Sequence, residues 1–174
     1  TWTSDTAFSY YPINSLKFVN SNTGFASSFL GGDLYKTTNS GFNWSQIPFQ
    51  QPDLFCSGFD FTDNNNIISV SRFGLINITS NGGSTWHNLS NILYSYLSDI
   101  SFPNTSTGFA AGYRFSNNKS IFKTTNQGNN WYELTNVFNF DYASLYFIDA
   151  NTGFAGGYDG EICKTTNSGV SWSI

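Results

Sequence analysis

The sequence predicts an all-β fold, a β-propeller of four-stranded antiparallel blades with about four blades visible, on three observations. An eight-residue phrase occurs four times: Thr37-Thr38-Asn39-Ser40-Gly41-Phe42-Asn43-Trp44, then Thr79 to Trp86, Thr124 to Trp131 and Thr165 to Trp172. The tryptophans Trp2, Trp44, Trp86, Trp131 and Trp172 stand 42, 42, 45 and 41 residues apart, which is the period of a four-stranded blade. Each period also carries four β-like runs separated by turn residues, and no run has the 3.6-residue periodicity of an amphipathic helix.

In the first period the runs are Ser15 to Val19, Gly24 to Phe29, Asp33 to Thr37 and Asn43 to Phe49, broken by Asn20-Ser21-Asn22, Gly31-Gly32 and Asn39-Ser40-Gly41. First runs end on Phe18, Phe61, Phe102 and Phe147, and second runs include Gly24-Phe25-Ala26, Gly108-Phe109-Ala110 and Gly153-Phe154-Ala155. Such sheets repeated about an axis leave only short, protected edges. The expected organisation is one propeller domain or part of one, with an orphan outer strand over 1–11 and blades over 12–52, 53–93, 94–138 and 139–174. The chain begins and ends at the same phase of the repeat. That phase is expected of a piece of a longer array, or of a strand that pairs with another subunit.

Within each phrase a small Asn bonds turn backbone, Gly supplies positive φ, and Trp anchors the outer strand. Those positions are Asn39, Gly41 and Trp44; Asn81, Gly83 and Trp86; Asn126, Gly128 and Trp131; Asn167, Gly169 and Trp172. The phrase resembles the Asp-box of the bacterial neuraminidase repeat (BNR), Ser/Thr-x-Asp-x-Gly-x-x-Trp, with Asn for Asp in all four copies. With the Thr-Gly-Phe-Ala run, the chain resembles the photosystem II assembly factor-like repeat family over essentially its whole length. The resemblance implies the propeller fold and leaves activity open, because the superfamily holds sialidases, other glycosidases, sortilin-like receptors and assembly factors.

The 174 residues carry 18 Phe, 10 Tyr and 5 Trp, only 10% charged residues and a net charge of −4. Seven Lys and Arg are too few for a nucleic-acid surface or a polybasic membrane contact, and no apolar run is long enough for a spanning helix. The 22 Asn and 41 Ser plus Thr form a neutral polar surface of the kind usual in secreted proteins, so an extracellular or cell-surface location is expected. The chain has no Met, so Thr1 reads as the start of a mature product or of a piece of something longer. Cys56 and Cys163 fall in repeats two apart and are expected to be separate thiols rather than a disulfide.

A sialidase needs an arginine triad for the substrate carboxylate, and Arg72 and Arg114 are the only arginines. A two-carboxylate hydrolase would draw on Asp60, Asp63, Asp99, Asp141, Asp149, Asp159 and Glu161. Asp63 and Asp149 share their phase with Asn20 and Asn104, which reads as a turn, while Asp60 shares its phase with Lys17, Ser101 and Tyr146 on the innermost strands. His87 is the single histidine and follows Trp86 on an outer strand, without a metal-ligand or triad partner at suitable spacing. No catalytic residue, cofactor or metal is therefore expected. Sequons occur at Asn43, Asn77, Asn88, Asn104 and Asn118, roughly as many as chance gives.

One pattern exceeds what the fold needs. Segments joining an outer strand to the next inner strand carry aromatics: Phe8, Tyr10 and Tyr11; Phe49 and Phe55; Tyr94 and Tyr96; Phe138, Phe140 and Tyr142. Gathered on one face of the disc, they would stack on a sugar or bury against a protein. The expected function is a non-enzymatic extracellular scaffold whose partner is a protein, a glycan or its own copies, such as an adhesion module or a subunit of a surface filament. Two alternatives stand beside it: a carbohydrate-binding or glycoside-hydrolase propeller fragment, and, as the resemblance implies, a photosystem assembly factor-like protein.

Overall fold

Short β-branched and aromatic runs closed by Asn- and Gly-bearing turns fold into successive up-and-down sheets. The structure, a computed structural model, describes residues 12–28, 32–47, 56–89, 92, 95–114 and 119–174. The orphan strand and the sites assigned to Phe8, Tyr10, Tyr11, Phe49, Phe55, Tyr94 and Asn118 lie outside the described residues.

Blade one comprises β1 (Ile13–Phe18), β2 (Gly24–Ser28), β3 (Leu34–Thr37) and β4 (Ser45–Ile47). Blade two comprises β5 (Cys56–Phe61), β6 (Ile67–Ser71), β7 (Ile76–Thr79) and β8 (His87–Asn88). Blade three comprises β9 (Ser95–Ser101), β10 (Gly108–Arg114), β11 (Lys119–Thr124) and β12 (Tyr132–Glu133). Blade four comprises β13 (Tyr142–Phe147), β14 (Gly153–Gly157) and β15 (Ile162–Thr165), and its fourth strand is reduced to the bridge between Lys164 and Ser173. Strands pair antiparallel in chain order within every sheet. The protein is thus an all-β, four-bladed propeller, with no helix among the described residues.

The eight-residue phrases form one repeated turn. In each, the Thr hydroxyl donates to the Asn Oδ1 (Thr37 to Asn39, 2.9 Å; Thr124 to Asn126, 3.0 Å) and accepts from the Gly amide (Gly41, 3.0 Å; Gly128, 3.0 Å). The same Oδ1 accepts the amide four residues on, that of Asn43, Thr85, Asn130 or Ser171, at 2.9 Å. An aspartate oxygen would accept both bonds equally well, so the turn chemistry tolerates Asn in place of Asp. The turn also needs two consecutive residues at positive φ: Ser40, Gly82, Gln127 and Ser168 at 62° to 66°, then Gly41, Gly83, Gly128 and Gly169 at 80° to 93°. At the second position a side chain would be strained, and at Gly83 and Gly169 its Cβ would also lie 2.7 Å and 2.6 Å from Ile47 and Leu134 of the preceding blade.

Neighbouring blades bury their facing sides against each other. Phe25, Leu34 and Ile47 of blade one meet Phe59, Ile67 and Trp86 of blade two. Ile68, Val70 and Ile76 meet Leu97, Ile100, Phe102 and Phe122 of blade three. Phe109, Ala111 and Ile121 meet Leu145, Phe147, Ala155 and Cys163 of blade four. We call the face of a blade that meets its successor the leading face and the opposite one the trailing face. The core is therefore three slabs between blades, stabilised mainly by removal of apolar surface from water.

Cys56 and Cys163 are separate buried thiols, in the first and third slabs respectively. Burial pushes Cys56 up to about 12 and Cys163 up to about 11. Since the thiolate is the nucleophile, iodoacetamide at about pH 8 should leave both thiols unmodified in the native protein and alkylate both in denaturant, as read by mass spectrometry. Among the sequons, Asn43, Asn88 and Asn104 are exposed. Asn77, however, is 2% exposed within blade two, paired across to Ser69 and Asn88. It has no room for a sugar, a correction that follows from its place on a central strand.

Candidate functional site: the central cavity and its aromatic mouth

The inner strand of every blade contains a bulge, at Asn14, Ser57, Ser98 and Ala143, between residues that hold register with the second strand. A bulge re-aims one side chain, and in the first three blades it is aimed at the next blade. Asn14 Nδ2 donates to the Ser57 carbonyl at 2.8 Å, the Ser57 hydroxyl donates to the Leu97 carbonyl, and the Ser98 hydroxyl donates to the Tyr142 carbonyl at 2.6 Å.

A second row of inner-strand side chains does the same work. Asp60 Oδ2 accepts the Phe102 amide at 2.6 Å, and the Ser101 hydroxyl oxygen accepts the Phe147 amide at 3.1 Å. Asp60 Oδ1 faces Lys17 Nζ at 3.3 Å. Asp99, beside them, accepts the Ile100 amide on Oδ1 and the Leu145 amide on Oδ2, each at 2.8 Å. Burial pushes the Asp99 carboxyl above the usual carboxylate range, and the Lys17 charge and the two amides oppose that shift. Asp63 and Asp149 are turn formers, as are Asn20 and Asn104. Each accepts two backbone amides two and three residues on, at 2.7 to 3.0 Å.

These strands enclose a cavity of about 410 Å³, lined among others by Asn14, Lys17, Ser57, Ser98, Asp99 and Tyr146. Tyr96 and Tyr158 stand at its mouth. Tyr96 stacks on Tyr113 with ring centroids 4.9 Å apart, and the Arg72 guanidinium lies 5.4 Å from the Tyr96 ring. Tyr146 and Tyr158 are exposed. The arrangement offers flat apolar faces, two cations, Lys17 and Arg72, and a lining of hydroxyls and amides, which suits a polyhydroxylated ring or a peptide.

Of the aromatics singled out for this face, the structure brings Tyr96 to the cavity mouth. Phe140 and Tyr142 are instead core residues in the third slab, where the Tyr142 hydroxyl donates to the Phe138 carbonyl at 2.7 Å. Burial pushes the Tyr142 phenol well above its ordinary range. The cause is simple: Phe140 lies just before, and Tyr142 begins, an inner strand whose trailing side is covered by blade three. Sequence periodicity does not single out Tyr113 or Tyr158, and it marks Arg72 only as one of two arginines; Tyr113 lies near the end of the second strand β10, and Arg72 and Tyr158 directly follow the second strands β6 and β14, so all three reach the same face as Tyr96. His87 is exposed on β8. Among the described residues there is no cluster of three or more His, Cys, Asp or Glu that could hold a metal, and no helix long and apolar enough to cross a membrane.

No protein-family model and no curated protein matches the sequence. Solved structures do share the fold. An ancestral GH74 enzyme superposes with a TM-score of 0.73 at 21% identity, over 92% of this chain and 23% of its own. YCF48 from Cyanidioschyzon merolae gives 0.67 at 14% identity, over 99% of this chain and 61% of its own. U3-55K gives 0.76 at 13% identity, over 95% of this chain and 52% of its own. The chain therefore spans less than two thirds of each of these propellers, and at such identities the likeness is one of fold.

Proposed function

We propose that this protein is a non-enzymatic interaction module, working outside the cell at a surface as an adhesion or scaffold unit, that holds its partner on the aromatic mouth of the central cavity. The observation that carries the reading is the use made of the two innermost carboxylates. All four oxygens of Asp60 and Asp99 have partners: three accept backbone amides, two of those from the following blade, and the fourth faces Lys17. A general acid or base must instead reach the substrate. The exposed tyrosines around them supply contact area at low conformational cost.

Two probes test this by titration calorimetry: xyloglucan, the class of polymer that the Xanthomonas campestris GH74 xyloglucanase is named for, and the D1 peptide, with which YCF48 has been solved. Binding of either without turnover, weakened about tenfold or more by Tyr96→Ala, is the expected result. Xyloglucan cleavage that disappears in Asp60→Asn would overturn it and favour the second reading, a glycoside-hydrolase propeller, which draws its support from Asp99 in the cavity lining and Asp60 close enough to interact with it.

A further inference from the structure

The leading face of blade four repeats the pattern that, in the other blades, receives a successor. Leu34, Ile76 and Ile121 occupy one equivalent position on β3, β7 and β11, and all are 0% exposed; their counterpart Ile162 is 65% exposed. Lys36 and Lys123 each lie over a phenylalanine of their own blade, 5.4 Å from Phe25 and 5.3 Å from Phe109, and each donates to the next blade's turn, at the Gly82 carbonyl and the Ser168 carbonyl. Lys164 lies over Phe154 at 5.6 Å in the same way and is exposed.

The trailing face of blade one is the matching half. Leu16 stands where Phe59, Ile100 and Leu145 are buried, yet it is 58% exposed, and Phe18 is 42% exposed. Phe18 already holds the posture of its buried counterparts. It packs edge-on to Trp44 at 6.0 Å, as Phe102 does to Trp131 at 5.9 Å and Phe147 to Trp172 at 6.0 Å. Ala26 and Tyr35, farther from the axis on the same face, are buried, so the open part is the strip nearest the axis.

We propose that a second copy of this chain docks here, head to tail, with Phe18 and Leu16 of one copy against Phe154 and Ile162 of the other. The models for the joint are the Phe61 ring 6.2 Å from Phe25 and the Phe147 ring stacked on Phe109. Lys164 donates to the Ser40 carbonyl, the counterpart of Gly82 and Ser168. A second copy fits because this one chain carries both matching faces, and the character of the joint follows from what blade four lacks. At the bulge position, where Asn14, Ser57 and Ser98 tie each blade to the next, blade four has Ala143, and at the position of Asp60 and Ser101 it has Tyr146. The joint is thus apolar with one lysine contact, and without those polar ties it forms and parts reversibly. Such a contact between unlike faces is heterologous and either closes a ring or extends. It rests on the scaffold reading but uses a different surface from the aromatic mouth.

Sedimentation velocity on the 174-residue chain should show mass rising with concentration. Leu16→Asp and Ile162→Asp alter exposed positions on opposite faces, and an unchanged near-ultraviolet circular dichroism spectrum checks that both fold. Each alone should remain monomeric, while an equimolar mixture should form dimers through the one intact pair of faces and nothing larger. A wild type that stays monomeric throughout, or association that either single variant leaves intact, would overturn the proposal. Both monomeric variants should keep the Tyr96-dependent ligand binding, so loss of assembly and failure of the binding reading are separately visible.

Discussion

Replacing Phe109 with alanine should lower the free energy of unfolding by about 3–5 kcal/mol, the range for truncating a large buried aromatic. Phe109 is fully buried, lies parallel to Phe147 with ring centroids 3.5 Å apart, and has Lys123 Nζ 5.3 Å above it. Its removal would open a void in the slab between blades three and four, which rigid strands on both sides cannot collapse to fill. Phe154 occupies the identical Thr-Gly-Phe-Ala context in blade four, but on a face with no described neighbour. Phe154→Ala should cost less than about 1 kcal/mol, in keeping with substitutions at partly exposed positions. Urea titrations of the two variants followed by tryptophan fluorescence provide the comparison. Equal losses would mean that the two phenylalanines experience equivalent packing, contrary to the structure.

The glycine of the same motif has the second large expected effect. A Cβ on Gly108 would lie 2.3 Å from the Phe102 ring, and on Gly153 2.6 Å from the Phe147 ring. In blades one, three and four the phenylalanine at the end of the inner strand folds across that glycine and rests edge-on against the tryptophan of the turn. Gly108→Val should therefore destabilise the protein by about 1–3 kcal/mol or more through overpacking, and it should shift the emission of Trp131 as Phe102 is displaced. Blade two shows the natural alternative: Ile67 stands at the glycine position, is fully buried itself, and Phe61 leans instead towards Phe25. An unchanged stability and spectrum for Gly108→Val would show that the ring can move away freely.

These two residues mark how far the sequence could be read. The recurrence of Gly-Phe-Ala three times and of the eight-residue phrase four times made the blade period, strand order and turns legible, because both depend on contacts within about forty residues of chain. The turn positions of Asp63 and Asp149 were legible for the same reason, through their repeat-mates Asn20 and Asn104. The candidate site was legible only in part. Tyr96, one of the aromatics of the joining segments, lines the cavity, but nothing local separates it from Tyr142, which begins the next inner strand and is buried. Likewise Asp60 was recognised as an inner-strand residue, yet the Phe102 amide that occupies it belongs to the following blade.

By itself, then, the sequence determined the all-β class, the four-stranded repeat and its turn chemistry, since periodicity and backbone conformation are written residue by residue. Only the tertiary structure decided which members of each repeated set are buried. Phe109 and Phe154, Ile121 and Ile162, Phe102 and Phe18 are matched in sequence phase and differ in whether another blade lies against them. It likewise decided that Asp60 and Asp99 tie blades together and that the tyrosines meet at one mouth. The physical reason is that burial and hydrogen-bond satisfaction are properties of the space between blades, which no single repeat contains.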